Sequence, residues 1–190
     1  PNMNINSNKD EFPDLPRSHP YYGPIHYFTG KKVLSGYEDG TFGPDNTLTR
    51  SELLAVVLRA LDLEYDGEIL VGIFKDVPQD HWVNPLINNA LDRRIITADR
   101  PVFEPNRPVT RSEFLAILVV ASQIDVDVDD VTKVWSDVSE THWSAKYAKV
   151  AYKYKLFSKL RDDTFGPNNS VTRGEVANAM YQFLFQTKNR

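Results

Sequence analysis

The chain has 190 residues, of which 41% are apolar and 25% charged, with a formal net charge of −4 and a pI near 5.6. These are the values of an ordinary globular chain, and nothing in them favours nucleic acid, whose binders carry a basic patch or stripe. The absence of cysteine removes disulfides, thiolate metal sites and a cysteine nucleophile, and the longest apolar run, Phe114–Ala121, falls far short of the roughly 18–20 residues of a membrane span.

After a polar start (1–11), read as a loose terminal segment, one passage is written three times. Phe12-Pro13-Asp14-Leu15-Pro16 returns as Phe74-Lys75-Asp76-Val77-Pro78 and as Trp135-Ser136-Asp137-Val138-Ser139. His19, His81 and His142 follow at one offset. Each passage closes on a related tetrapeptide: Thr49-Arg50-Ser51-Glu52, Thr110-Arg111-Ser112-Glu113 and Thr172-Arg173-Gly174-Glu175. The repeats are 12–66, 67–128 and 129–190. A unit of this size needs its neighbours to bury its apolar face.

In repeat one a helix is expected over Tyr21–Thr29. A loop follows, from Val33 through Gly36-Tyr37-Glu38-Asp39-Gly40-Thr41-Phe42-Gly43-Pro44. Asp39-Gly40 is a turn signal, and Gly36 and Gly40 open backbone angles closed to other residues. Thr49 and Glu52 form a capping box, with Leu48 and Leu53 as its staple, and start a helix over Ser51–Leu61. That helix is apolar around much of its girth, as a central helix is.

Repeat two places Asp80 as N-cap before an apolar stripe of Trp82, Leu86, Ile87, Ala90 and Leu91, with Pro85 tolerated in the first turn. A Pro-rich loop (97–108) leads to the Thr110/Glu113 box and a helix over Ser112–Ser122. Asp125, Asp127, Asp129 and Asp130 lie in the next linker. They lack the glycine and terminal glutamate of an EF-hand loop and read as a solvated acidic connection rather than a calcium site. Repeat three gives helices over Trp143–Tyr154 and Gly174–Phe185. Lys146, Lys149, Lys153, Lys155, Lys159 and Arg161 read as a solvated face. Phe42, Phe103 and Phe165 recur at one loop position, each anchoring its loop to the core.

The F-x-D-V-P…H-W opening, the G-Y-x-D-G-T-F-x-P loop and the closing Thr-Arg-Ser-Glu resemble the surface-layer homology (SLH) family over about residues 12–185. The resemblance implies an all-α fold: three tandem helix-loop-helix repeats in a pseudo-threefold arrangement around a central helix bundle. It implies a non-catalytic, extracellular module of the cell wall or surface layer that binds secondary cell-wall polysaccharide, often pyruvylated, in grooves between repeats. Neighbouring surface-layer proteins are further expected partners, and no cofactor is implied. The groove arginine maps onto Arg50, Arg111 and Arg173, its cap residue onto Thr49, Thr110 and Thr172, and the loop glycine that admits the sugar onto Gly36. Ala98 and Lys159, or their neighbours, stand at the Gly36 position in the other repeats, and both of those loops lose the Gly-Tyr pair. The repeat-one groove is therefore the one expected to work. Serine or glycine in place of the usual alanine in the closing tetrapeptides counts as a mild change.

The residues support the same chemistry. Each arginine follows a helix N-cap, where free amides and a partial positive charge favour a carboxylate. The opposing expectation is that each arginine pairs with an acid and holds the repeats together. Trp82, Trp143 and Tyr37 are candidates to stack on sugars, with Tyr22 a further one, whereas Trp135 is expected to replace Phe12 and Phe74 in the core. The histidines are expected to make local bonds at helix starts. Glu52, Glu113 and Glu175 are committed to caps, and no carboxylate pair flanks a cleft as glycoside hydrolysis requires. A lattice-assembly module that has lost its sugar site is the competing function.

Overall fold

The computed structural model describes residues 12–133, 135–157 and 163–188. The expectations for residues 1–11, and for Lys159 and Arg161, lie outside them. Among the described residues the helices are α1 (Tyr22–Gly30), α2 (Arg50–Ala60), α3 (Asn84–Asp92), α4 (Arg111–Ser122), α5 (Ala145–Lys153) and α6 (Arg173–Lys188). None is long and apolar enough to cross a membrane.

The closing helices form the centre. In α2, Ser51 and every residue from Leu53 to Leu58 are buried, and α4 and α6 bury Phe114, Leu118, Met180 and Phe183 completely. The main helix contacts of the outer helices run between repeats. Helix α3 lies on α2, α5 on α4, and α1 crosses back to α6, while α2 also touches α4. Each outer helix thus docks on the inner helix of the preceding repeat, and the first repeat closes on the last.

The axis of this closure is a ring of three backbone bonds. Leu48 N–H donates to the Val171 carbonyl (3.3 Å), Val171 N–H to Val109 (3.1 Å) and Val109 N–H to Leu48 (3.0 Å). These residues, of which Leu48 was expected only to staple a helix start, are 0–1% exposed. The ring satisfies backbone groups that burial would otherwise leave unpaired.

Both capping boxes of α2 and α4 are reciprocal, and Thr172 and Glu175 exchange the same bonds at α6. The outer helices start differently from expectation. Asp80 is not the N-cap of α3. That position is Val83, with no side-chain cap, and Pro85 falls in the first turn. Trp82 and Trp143 precede their helices and are 53% and 57% exposed, so the apolar stripe of α3 does not include Trp82. Each histidine instead organises the entry: Nδ1 of His19, His81 and His142 accepts the amide two residues on, at 3.1, 3.2 and 3.3 Å.

Four helices end in one motif without glycine. Lys32, Asp62, Arg94 and Lys155 take left-handed angles, and Val33, Leu63, Ile95 and Leu156 then donate back to Phe28, Leu58, Ala90 and Ala151. This is the Schellman closure, with an apolar residue sealing it.

The acidic linker is only half solvated. Val126, Val128 and Val131 are buried between its aspartates, and Lys153 Nζ bonds the Asp127 carbonyl and the Asp130 carboxylate, each at 2.7 Å. Lys153 of the basic face is therefore matched to the linker, a departure from the solvated reading of both segments.

Candidate functional site

Each loop is fixed by the aspartate of its own opening. The Asp14 carboxylate accepts the amides of Phe42 (2.9 Å) and Gly43 (2.7 Å). Asp76 does the same for Phe103 and Glu104, and Asp137 for Phe165 and Gly166. Two charge-assisted bonds to one carboxylate make a rigid clamp. The aromatic of each opening lies on that of its loop: Phe12 on Phe42, Phe74 on Phe103 and Trp135 on Phe165, with centroids 5.4, 5.5 and 6.0 Å apart. Trp135 is buried, as its place in the repeat predicts. The aspartates went unread as functional supports, although their recurrence in all three openings was the available signal.

Across each clamped loop lies the arginine of the preceding repeat. Arg50 Nε donates to the Phe103 carbonyl (2.8 Å), Arg111 Nη1 to Phe165, and Arg173 Nε to Phe42 (3.0 Å). The guanidiniums also lie over aromatic faces: Arg50 over Phe103, Arg111 over Phe157 and Phe165, and Arg173 over Tyr37 (4.9 Å) and Phe42 (4.4 Å). The Gly36–Tyr37 loop therefore faces Arg173, and Arg50 faces the loop of repeat two.

The helix tips are not open. The amides of Arg50 and Ser51 donate to the carbonyls of Arg107 and Pro105. Those of Arg111 and Ser112 go to Asn169 and Pro167, and those of Arg173 and Gly174 to Asn46 and Pro44. The Thr49, Thr110 and Thr172 hydroxyls take the next amide of each helix. This corrects the expectation of free helix amides around a carboxylate. Any anion must be read by the guanidinium.

The three arginines differ in their ion pairs. Arg50 reaches Glu113 at 3.1 Å, and Arg111 reaches Glu175 at 3.4 Å. Through these acids each of the two ties its repeat to the next. Arg173 makes no ion pair among the described residues, and its Nη2 is held by the Ser35 carbonyl (2.5 Å). Burial lowers the pKa of Arg173, partly offset by the charges of Tyr37, Glu52 and Asp14. Burial also lowers that of Arg50, against the opposing pull of Glu113. Glu113 itself is pushed up by burial but held below its ordinary range by Arg107 and the Thr110 amide.

Gly36 serves packing rather than backbone angle. A Cβ there would lie 2.3 Å from Phe12 Cε1 and 2.8 Å from the Thr41 carbonyl. Gly40, at φ +84°, does use an angle reserved for glycine. Gly174 is not a mild change, because a Cβ there would meet the buried Tyr21 ring at 2.6 Å.

The Arg50 side opens into a cavity of about 310 Å3 lined by Arg50, Asp99, Arg100, Glu104, Arg107 and Glu113, with Trp143 reaching in from repeat three. One cleft thus draws on all three repeats. Tyr37 is 42% exposed above Arg173, while Trp82 stacks on His81. Tyr22 packs on His26.

Fold and clefts together define a closed three-repeat helical module whose polar clefts lie between repeats. The pattern of the S-layer homology domain matches residues 11–54, 73–115 and 136–177, and the chain belongs to that family of non-catalytic, cell-surface anchoring modules. It is 27% identical over 177 residues to an S-layer protein of Bacillus thuringiensis subsp. finitimus, covering 93% of this chain and 21% of that protein. It is similar also to an amylopullulanase of Thermoanaerobacterium thermosulfurigenes (27% over 169 residues, 87% and 9%). A cellulosome-anchoring protein of Acetivibrio thermocellus is a third relative (28% over 149 residues, 75% and 33%). The chain spans a third or less of the length of each.

Proposed function

We propose that this module holds its protein to the cell surface by binding secondary cell-wall polysaccharide, and that an acidic group of the polymer, such as a pyruvyl ketal, is read at Arg173, beside the exposed Tyr37. The observation that carries this reading is the guanidinium of Arg173, buried, stacked against Tyr37 and Phe42, and in no ion pair among the described residues. A cation in that state gains from an incoming carboxylate, since its burial is only partly offset by the charges of Glu52 and Asp14 and by two carbonyls. Tyr37, exposed beside it, offers a face for the sugar ring. The relatives agree in kind: an S-layer protein, an amylopullulanase and a cellulosome-anchoring protein each match this chain over a part of their own length.

The test is titration of the module with purified wall polymer before and after removal of its pyruvate, in wild type and in Arg173→Lys. Lysine keeps the charge but loses the fork that holds a carboxylate. The variant is expected to bind intact polymer about tenfold more weakly. Unchanged affinity would remove Arg173 from the site.

A further inference from the structure

We infer that the cleft between Arg50 and Trp143 binds uncharged sugar units of the polymer and not its acidic group. This rests on the polysaccharide reading above and assigns a second, chemically different subsite. Three guanidiniums (Arg50, Arg100, Arg107) face three carboxylates (Asp99, Glu104, Glu113) around the cavity. Glu113 accepts from Arg50 at 3.1 Å and from Arg107 at 2.6 Å, and Arg107 bonds Glu104 at 3.0 Å. Arg50 and Arg107 are already held by Glu113 and Glu104, and Arg100 is exposed to water, so the three charges of each sign balance and an entering polymer carboxylate gains little here.

A hydroxyl suits both signs, because it both donates and accepts. Glu104 and Asp99 can accept a hydrogen bond from it, and Arg100, which has no hydrogen bond or ion pair among the described residues, can donate to it. Trp143, 57% exposed, and Val102, 41% exposed, supply apolar surface for the face of a sugar ring. The cavity, about 310 Å3, lies at the small end of ligand pockets, which run from roughly 300 to 1,000 Å3.

The loop of repeat two is built for this difference. Its Glu104 and Arg107 occupy the places held by Gly43 and Asn46 in repeat one and by Gly166 and Asn169 in repeat three, as the shared bond from the later amide to the earlier carbonyl shows. The ion pair that neutralises the cleft therefore belongs to one repeat only.

The test uses purified secondary cell-wall polysaccharide carrying pyruvyl ketals, and the same polymer after their hydrolysis, titrated into wild type, Trp143→Ala and Arg173→Lys. Trp143 is exposed, so its variant is expected to keep the wild-type melting temperature, which is checked first. Trp143→Ala is expected to weaken binding of both polymers by one factor, about tenfold, whereas Arg173→Lys weakens only the intact polymer. The inference is overturned if the hydrolysed polymer does not bind wild type, or if Trp143→Ala binds both polymers normally or loses only the intact one. Failure of wild type to bind either polymer overturns the anchoring reading as well. Normal binding of intact polymer by Trp143→Ala overturns this inference alone.

Discussion

The surroundings of Arg173 and of Arg50 share one plan and differ in charge. In both, an aspartate holds two loop amides, a phenylalanine anchors the loop, and an arginine from the preceding repeat bonds the same loop carbonyl. In one the arginine makes no ion pair among the described residues and lies below an exposed tyrosine. In the other it shares Glu113 with Arg107. The scaffold repeats what folding needs and varies what a ligand would touch.

The shared half of this comparison can be attacked hardest. Asp14→Ala and Asp76→Ala each remove two charge-assisted bonds and should each cost about 2–4 kcal/mol in urea unfolding. A large gap between them would show that the clamps are not equivalent. Gly36→Ala should cost about 1–3 kcal/mol, because a methyl group must displace Phe12 or the Thr41 carbonyl. Repeat two already carries Ala98 at the corresponding place, so Ala98→Gly should change stability by less than about 1 kcal/mol. A similar cost at both sites would mean that the loops pack alike.

Smaller effects address the differing half. Glu104 takes a left-handed angle (φ +60°) where the other repeats have glycine. Glu104→Gly relieves about 1 kcal/mol of backbone strain and gives up a partly exposed ion pair worth about 0–1 kcal/mol. The net in thermal unfolding should be a gain of under about 1 kcal/mol.

The smallest effect is on acid stability. Glu113 has a folded pKa below its unfolded value, so it binds fewer protons when folded. Its contribution is complete above the unfolded pKa, about 4.3, and is lost as pH falls through the lower folded value. Glu113→Gln should flatten that part of the curve, and an unchanged acid limb would show that its charge does not stabilise the inter-repeat contact.

The inner helices were legible because Thr49, Thr110 and Thr172 each precede a glutamate at the capping distance, a local rule that tertiary packing does not override. The buried loop phenylalanines and Trp135 were legible from their recurrence. The outer helix starts were misread at Asp80 because a His ring does the work there, and no N-cap pattern describes that bond. The left-handed positions are Lys32, Asp62, Arg94 and Lys155 rather than glycine, so the four closures left no mark in the sequence. What one chain could not reveal was the partner of each arginine. The docking of every outer helix on the preceding repeat moves Arg173, not Arg50, to the Gly36–Tyr37 loop, and it fills the helix tips with carbonyls from the next repeat.

The central claim is that the three arginines are unequal and that Arg173 alone meets the acidic group. Chemical-shift mapping of the 15N-labelled module with a pyruvylated oligosaccharide tests it most directly. The account predicts that the side-chain signal of Arg173 and the amides of Ser35 to Tyr37 move when the pyruvylated sugar is added and stay still with its hydrolysed form. Pyruvate-dependent shifts at Arg50 or Arg111 with Arg173 unmoved would contradict it.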